Sequence, residues 1–245
     1  MAEYPVELRA DPSLWLFLPP RHRRPGFTIR YDGTSSLGHL VESAGIPLTE
    51  VGGLRIGPHP AATGSRVPPG RPVTVLPVPR PQPLPPGQPR FCLDVHLGTL
   101  ARRLRLLGLD TWYRNDTGDD ELIAVAAAGG RVLLTRDRGL LRRRAVRFGA
   151  YVRGDRPDDQ LADVLRRFAP PIAPWTRCLS CNGPLVPAAK ADVEPQLQPG
   201  TRCTYQEFTR CRACGQAYWR GAHARRLNAL VIRAQGILGA DPAAS

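Results

Sequence analysis

Over residues 1–76 apolar and polar positions alternate in short runs. Val6-Glu7-Leu8-Arg9 and Phe27-Thr28-Ile29-Arg30 put every second side chain on one face, the period of a half-buried strand. Ser36-Leu37-Gly38-His39-Leu40-Val41-Glu42 predicts a helix, and Val73-Thr74-Val75-Leu76 predicts a closing strand. Strand, strand, helix, strands is the order of a β-grasp fold. Residues 77–89 break the pattern with seven prolines, a density that gives an extended, semi-rigid spacer.

Beyond the spacer, strand and helix signals alternate. Phe91-Cys92-Leu93 is an apolar strand. Leu97, Leu100, Ala101, Leu104 and Leu107 recur at helical spacing, with Arg102, Arg103 and Arg105 mostly off that face, and Gly108 ends the run. Thr111-Trp112-Tyr113 predicts a second strand. Asp119 to Ala128 predicts a helix with acids in its first turn, and Gly129-Gly130 stops it. Arg131 to Thr135 reads as a third strand, 138–147 as a basic helix and Ala150 to Arg153 as a fourth strand. Leu161, Val164, Leu165 and Phe168 mark a last helix. Repeated β-α units of this length imply an α/β fold with a parallel sheet flanked by helices. The expected domains are a β-grasp domain over 1–78, a Pro-rich linker over 79–90, an α/β domain over 91–170, a cysteine module over 171–226 and a tail over 227–245.

The cysteine module carries the sharpest chemical signal. Cys178-x-x-Cys181 and Cys211-x-x-Cys214 each bracket a two-residue turn. Two such pairs supply the four soft, tetrahedral ligands that structural Zn²⁺ prefers. The alternatives are disulfides, which need an oxidising compartment, or four free buried thiols. One long hairpin between the pairs would fill the gap of about thirty residues. A closed four-thiolate site has no open position, so catalysis must lie elsewhere. Cys203 reads as a spare thiol or substitute ligand, and Cys92 as core.

A second cluster is acidic. In a parallel sheet, ligands bind beyond the carboxyl ends of the strands. Asp94 follows the first strand, Asp137 follows the third, and Asp119, Asp120 and Glu121 open the helix after the second. Converging carboxylates need a cation, and oxygen ligands suit Mg²⁺ or Mn²⁺. Such ions activate water for attack on a phosphodiester. Taken singly, the same acids read as a strand-end Asp, an N-cap cluster and a turn Asp. His96 reads as a phosphate or metal contact, or as a structural residue at a helix start.

The formal charge is +13, which points to a polyanionic partner. All the basic residues except Lys190 are Arg, in a chain also rich in Ala, Gly and Pro, so part of the surplus is compositional. Arg102, Arg105 and Arg136 would hold phosphates beside the acids, or would simply coat a solvated face. Trp219 and His223 would stack on or touch RNA, or pack the module. The chain shows neither a membrane-spanning apolar run nor a signal peptide, which makes the cytoplasm the expected location.

Phe91-Cys92-Leu93-Asp94 through Leu107-Gly108 resembles the opening motif of the Mut-seven C-terminal RNase domain, a PIN-like family. Leu133-Leu134-Thr135-Arg136-Asp137, Gln160-Leu161, Cys178-Leu179-Ser180-Cys181-Asn182-Gly183 and Tyr218-Trp219-Arg220-Gly221-Ala222-His223 continue the likeness in order, over about 91–226. The resemblance implies a PIN-like nuclease followed by a zinc ribbon, with metal-dependent cleavage of RNA, single-stranded by expectation. It assigns the PIN acids to Asp94, to Asp119 or Asp120, and to Asp137, and leaves a fourth open among Asp155, Asp158 and Asp159. Ser36 to Leu40, Gly45 to Gly52 and Val73 to Val78 resemble the ubiquitin-like domain that precedes such nucleases. They are also similar to sulfur carriers, but those end in an exposed Gly-Gly and this chain runs on through Pro77-Val78-Pro79. Contact with protein or RNA is the expected role of that domain. The rival to the nuclease is a non-catalytic RNA-binding adaptor using the ribbon and the basic helices.

Overall fold

The computed structural model describes residues 3–240, with the side chains of Ala222 and His223 outside the description, so the expectation for His223 falls there. These residues form two compact units, 3–79 with 135–151, and 80–134 with 152–240.

The first unit opens with β1 (Tyr4–Ala10), β2 (Phe27–Tyr31) and α1 (Leu37–Ser43), followed by β3 (Val51–Ile56), β4 (His59–Ala61) and β5 (Val73–Pro77). The sheet order is β2-β1-β5-β3-β4, with β1 and β5 parallel at its centre. Val6, Leu8 and Ala10 alternate inward along β1 and meet Leu37, Leu40 and Val41 of α1. The Ser36 hydroxyl caps α1 by accepting from the His39 N–H at 3.2 Å. This is the β-grasp order expected from the alternation.

The second unit begins inside the proline-rich segment. Arg80 donates to Asp163 at 2.8 Å, and the buried Arg167 donates to the Gln82 side chain at 2.7 Å. The segment is therefore anchored at its first residues rather than acting only as a spacer. β6 (Arg90–Leu93), α2 (Gly98–Leu106), β7 (Asp110–Trp112), α3 (Asp119–Ala128) and β8 (Val132–Thr135) follow. β7, β6 and β8 lie side by side in that order, all parallel, with Phe91 opposite both Thr111 and Val132. Phe91, Cys92 and Leu93 are fully buried, as a strand covered on both faces requires. Burial pushes the Cys92 thiol up to about 12, consistent with an inert core residue.

Next come α4 (Arg138–Leu141) and β9 (Gly149–Tyr151). The expected basic helix over 138–147 is thus a single turn. Leu140 and Leu141 are its buried residues, and the following Arg142-Arg143-Arg144 offers no apolar stripe to hold a helix down. Residues 135–151 belong to the first unit. The Tyr151 N–H donates to the buried Glu50 carboxylate at 2.7 Å, and the Tyr151 ring meets Phe17 edge-on at 5.3 Å.

The second unit resumes with α5 (Pro157–Phe168), then β10 (Leu185–Ala188), α6 (Lys190–Val193), α7 (Pro199–Thr204), β11 (Phe208–Cys211), β12 (Ala217–Trp219) and α8 (Ala222–Gly239). β10, β11 and β12 form an antiparallel sheet in chain order. A long hairpin spans the gap between the cysteine pairs, as expected: β10 and β11 are its antiparallel arms, and short helices fill the connection. Val193 of α6 and Leu197, between α6 and α7, are buried against Phe208 and Ala217. The expected tail over 227–245 is mostly helix: α8 packs on α5, burying Leu230, Val231 and Ala234 at helical spacing.

Candidate functional site

Asp94 sits where β6 ends. Its N–H donates to the Leu134 carbonyl at 3.1 Å, which places it beside the end of β8. The residue is 7% exposed, and its carboxylate accepts from the His96 N–H at 3.1 Å, capping one short turn. Asp119 and Asp120 occupy the first turn of α3, exposed, where the helix dipole favours negative charge. Asp137 lies in the first unit. It caps α4 by accepting from the N–H groups of Gly139 at 2.6 Å and Leu140 at 3.2 Å. Each of these acids stands at the start of a helix or turn, as the sequence order required.

The four cysteines of the two pairs converge. One sulfur from each of Cys178, Cys181, Cys211 and Cys214 lies within 4.8 Å of all the others. Cys178 and Cys214 are 3.7 Å apart, and Cys181 and Cys211 are 3.4 Å apart. Four sulfurs at about 2.3 Å from one tetrahedral zinc would sit about 3.8 Å from each other, so the set fits a zinc ion. Cys203 is exposed on α7 and stands outside the group. Gly183 is required here, because a Cβ would meet the Cys211 sulfur at 2.8 Å.

A tyrosine orders the first pair. The Tyr218 hydroxyl accepts from the Leu179 N–H at 3.2 Å, which leaves its own proton to donate to the Cys178 sulfur at 3.0 Å. Burial pushes the Cys178 thiol up, but the Tyr218 hydroxyl and the Cys181 N–H outweigh it and bring it down to about 7.

Arg105 was expected to hold phosphate, and the structure contradicts this. It is 3% exposed, and its guanidinium donates to the carbonyls of Thr111, Leu179 and Ser180 at 3.0, 3.1 and 2.6 Å. With the Tyr113 carbonyl at 3.4 Å as a fourth, its partners are backbone oxygens, so its donors serve the fold. The second half of α2 is buried all round, which periodicity could not show because the covering element lies about 75 residues on.

Asp110 completes the junction. It accepts from Arg131 at 2.7 Å and from the Asn182 amide at 2.8 Å, with Arg177 at 3.6 Å. Burial pushes its carboxyl up, but these hydrogen bonds and the nearby guanidinium charges outweigh it and hold it below the usual carboxylate range. Asn182 also accepts from the Thr111 N–H at 2.9 Å while adopting φ +72°, a conformation that Asn tolerates. Gly108, at φ +81°, lets the chain at Ala173 come close enough for the Ala173 N–H to reach the Leu107 carbonyl at 2.9 Å. Asn182 and Tyr218 fell within the quoted motifs but carried no assigned role. Asp110 had no signal at all.

Among the other expected RNA contacts, Arg102 is exposed on α2 and Arg136 is half-buried just past β8. Neighbouring Arg103 is engaged with Asp158 at 2.6 Å. Trp219 ends β12, half-buried, with its ring tilted over Phe208 at 6.5 Å.

Comparison with known families assigns this architecture. The Mut7-C RNAse domain matches residues 89–231, more than half of the chain. The chain belongs to the Mut7-C RNase family. The Mut7-C ubiquitin domain matches residues 4–83, so the β-grasp unit is the ubiquitin-like partner of that domain. Neither curated proteins nor solved structures return a match to the chain. The Mut7-C match runs from the start of β6 through the cysteine module into α8, and so takes in residues expected to be tail. No helix among the described residues is long and apolar enough to cross a membrane.

Proposed function

We propose that this Mut7-C chain is a metal-dependent ribonuclease that hydrolyses RNA phosphodiester bonds. The observation that carries the reading is the Mut7-C RNAse match over 89–231. The motif likeness assigns Asp94, Asp120 and Asp137 as carboxylates for Mg²⁺ or Mn²⁺, with Asp119 as the alternative in the first turn of α3. A divalent ion at such carboxylates supplies water activation and charge neutralisation at phosphorus. Asp94 is the best prepared of them: buried, with its carboxylate oriented by the His96 N–H before substrate arrives. Arg102 and Arg136 are the basic side chains assigned to the RNA backbone, and Trp219 to a base.

The four cysteines hold structural zinc in this reading. Their coordination set is complete without solvent, so the ribbon shapes and docks the fold and takes no part in hydrolysis. The ubiquitin-like domain serves as a protein-contact module, and the cytoplasm suits a protein with four thiolates and no disulfide. The test is cleavage of single-stranded and structured RNA with Mn²⁺, comparing wild type with Asp94→Asn. Loss of cleavage with RNA binding retained supports the reading. Binding without cleavage by wild type under any divalent ion supports the adaptor instead.

A further inference from the structure

The ribbon carries a cavity that the nuclease chemistry does not use. It holds about 670 Å³ and is walled by the aromatic rings of Trp175, Tyr218 and Trp219, with Gln206, Glu207 and Arg220 at its polar edge. A cavity of about 300–1,000 Å³ is the range that small planar ligands occupy. A second pocket, of about 320 Å³, shares Trp175, Tyr218 and Trp219, so these rings separate two adjoining spaces and are not packed shut. Both tryptophans are half-buried, and neither indole N–H has a hydrogen-bond partner among the described residues.

Trp175 is held in place in an unusual way. Its φ is +65°, a left-handed conformation that bulky residues rarely adopt. The Trp175 N–H donates to the Leu106 carbonyl at 2.9 Å, which pins the residue to the end of α2. The Arg220 guanidinium lies 6.0 Å from the centre of the Trp175 ring. The fold thus presents an aromatic plane with a cation over one face, leaving the ring's other face for a ligand.

We propose that this cavity is a stacking subsite for one unpaired nucleobase of single-stranded RNA. The base lies against the indoles, its edge meets Gln206 and Glu207, and Arg220 takes the adjacent phosphate. Stacking on aromatic faces beside a cation is how single strands are held without base pairing. Charge favours this occupant over a proline-rich peptide, which would also suit an aromatic groove. Arg220, at the edge of the cavity and over the Trp175 ring, offers a phosphate contact for which a peptide of prolines has no use. The choice of RNA rests on the nuclease reading, while the cavity itself does not.

The test uses the full chain with zinc retained and no other divalent ion, so that binding is read without cleavage. A labelled single-stranded RNA of twelve or so nucleotides is titrated by anisotropy against wild type, Trp175→Ala and Arg220→Gln. Each variant is expected to bind about tenfold more weakly, since one base stack is worth roughly a factor of ten or more. Arg220→Gln should also flatten the salt dependence by about one phosphate contact, and Trp175→Ala should not. Double-stranded RNA of equal length should bind both variants like wild type. Retained zinc content shows that each variant has folded, and Trp219→Leu, which keeps an apolar side chain on Phe208 but no ring, serves if Trp175→Ala does not fold. Wild-type affinity in all the folded variants overturns the proposal, as does capture of a proline-rich peptide in preference to RNA. Cleavage with Mn²⁺ is measured separately. A chain that binds through the cavity but never cuts keeps the subsite and loses the nuclease, whereas one that cuts equally well in every variant loses only the subsite.

Discussion

The Arg105 guanidinium donates to the Ser180 carbonyl at 2.6 Å, joining the second half of α2 to the turn between Cys178 and Cys181. The same side chain holds Thr111 and Leu179 through their carbonyls. Replacing it with Ala strands the buried Thr111 carbonyl and partly buried ones beside it, and opens a void. Arg105→Ala is expected to cost about 3 kcal/mol, the scale of breaking a buried charged network. Arg105→Lys should recover only part, because an ammonium lacks the planar fork that reaches several carbonyls together. Urea unfolding of the full chain checks both. The salt dependence of RNA binding should be unchanged in Arg105→Lys, since the side chain is not on the surface.

Tyr218 tests how the metal centre is ordered. Tyr218→Phe keeps the ring but removes the proton offered to Cys178. Loss of such an outer hydrogen bond typically weakens metal binding about tenfold or more. Competition with a chromogenic chelator should show faster and more complete zinc release from the variant. Equal affinity would mean that the hydroxyl serves only the Leu179 N–H.

Much of this was legible in the sequence, and the failures have physical causes. β6, α2, β7, α3 and β8 were readable because Phe91 to Leu93, Leu100, Leu104 and Leu133 keep strand or helix periods around a covered sheet. The helix expected over 138–147 fell short because three consecutive arginines were counted as helical without an apolar face to bind them. Leu227, Leu230, Val231 and Ala234 carry the period of α8 within the stretch expected to be tail. The convergence of Cys178, Cys181, Cys211 and Cys214 was readable from spacing alone. Arg105 was not, because side-chain direction at the end of α2 depends on a segment remote in the chain.

Asp110 gives a pH signature. Its folded carboxyl is held below its usual range, so its contribution to stability is present above the unfolded value and is lost as pH falls through the folded one. Asp110→Asn should destabilise the chain by about 2 kcal/mol at neutral pH, where Arg131 and Arg177 lose their partner. The gap should close progressively below the ordinary Asp value of about 3.9. Chemical unfolding at stepped pH reads it. A gap independent of pH would mean that packing, not charge, accounts for the loss.

The acids of the proposed active site divide into separable duties. In Asp94→Asn the amide oxygen still accepts from the His96 N–H, so stability without added divalent ion should change by less than about 1 kcal/mol. The ligand charge is nevertheless gone. Mn²⁺-dependent cleavage should fall by at least about a hundredfold if the residue serves the metal. Binding of RNA in the absence of Mg²⁺ and Mn²⁺ should persist, because it rests on arginine and on the aromatic rings.

The central claim is that this Mut7-C chain cuts RNA at a carboxylate-held metal. The most direct measurement is Mn²⁺-dependent cleavage of a labelled single-stranded RNA by wild type, Asp94→Asn and Asp137→Asn, purified identically and matched for zinc content. The account predicts cleavage by wild type and none above background by either variant. Equal cleavage by all three would contradict it.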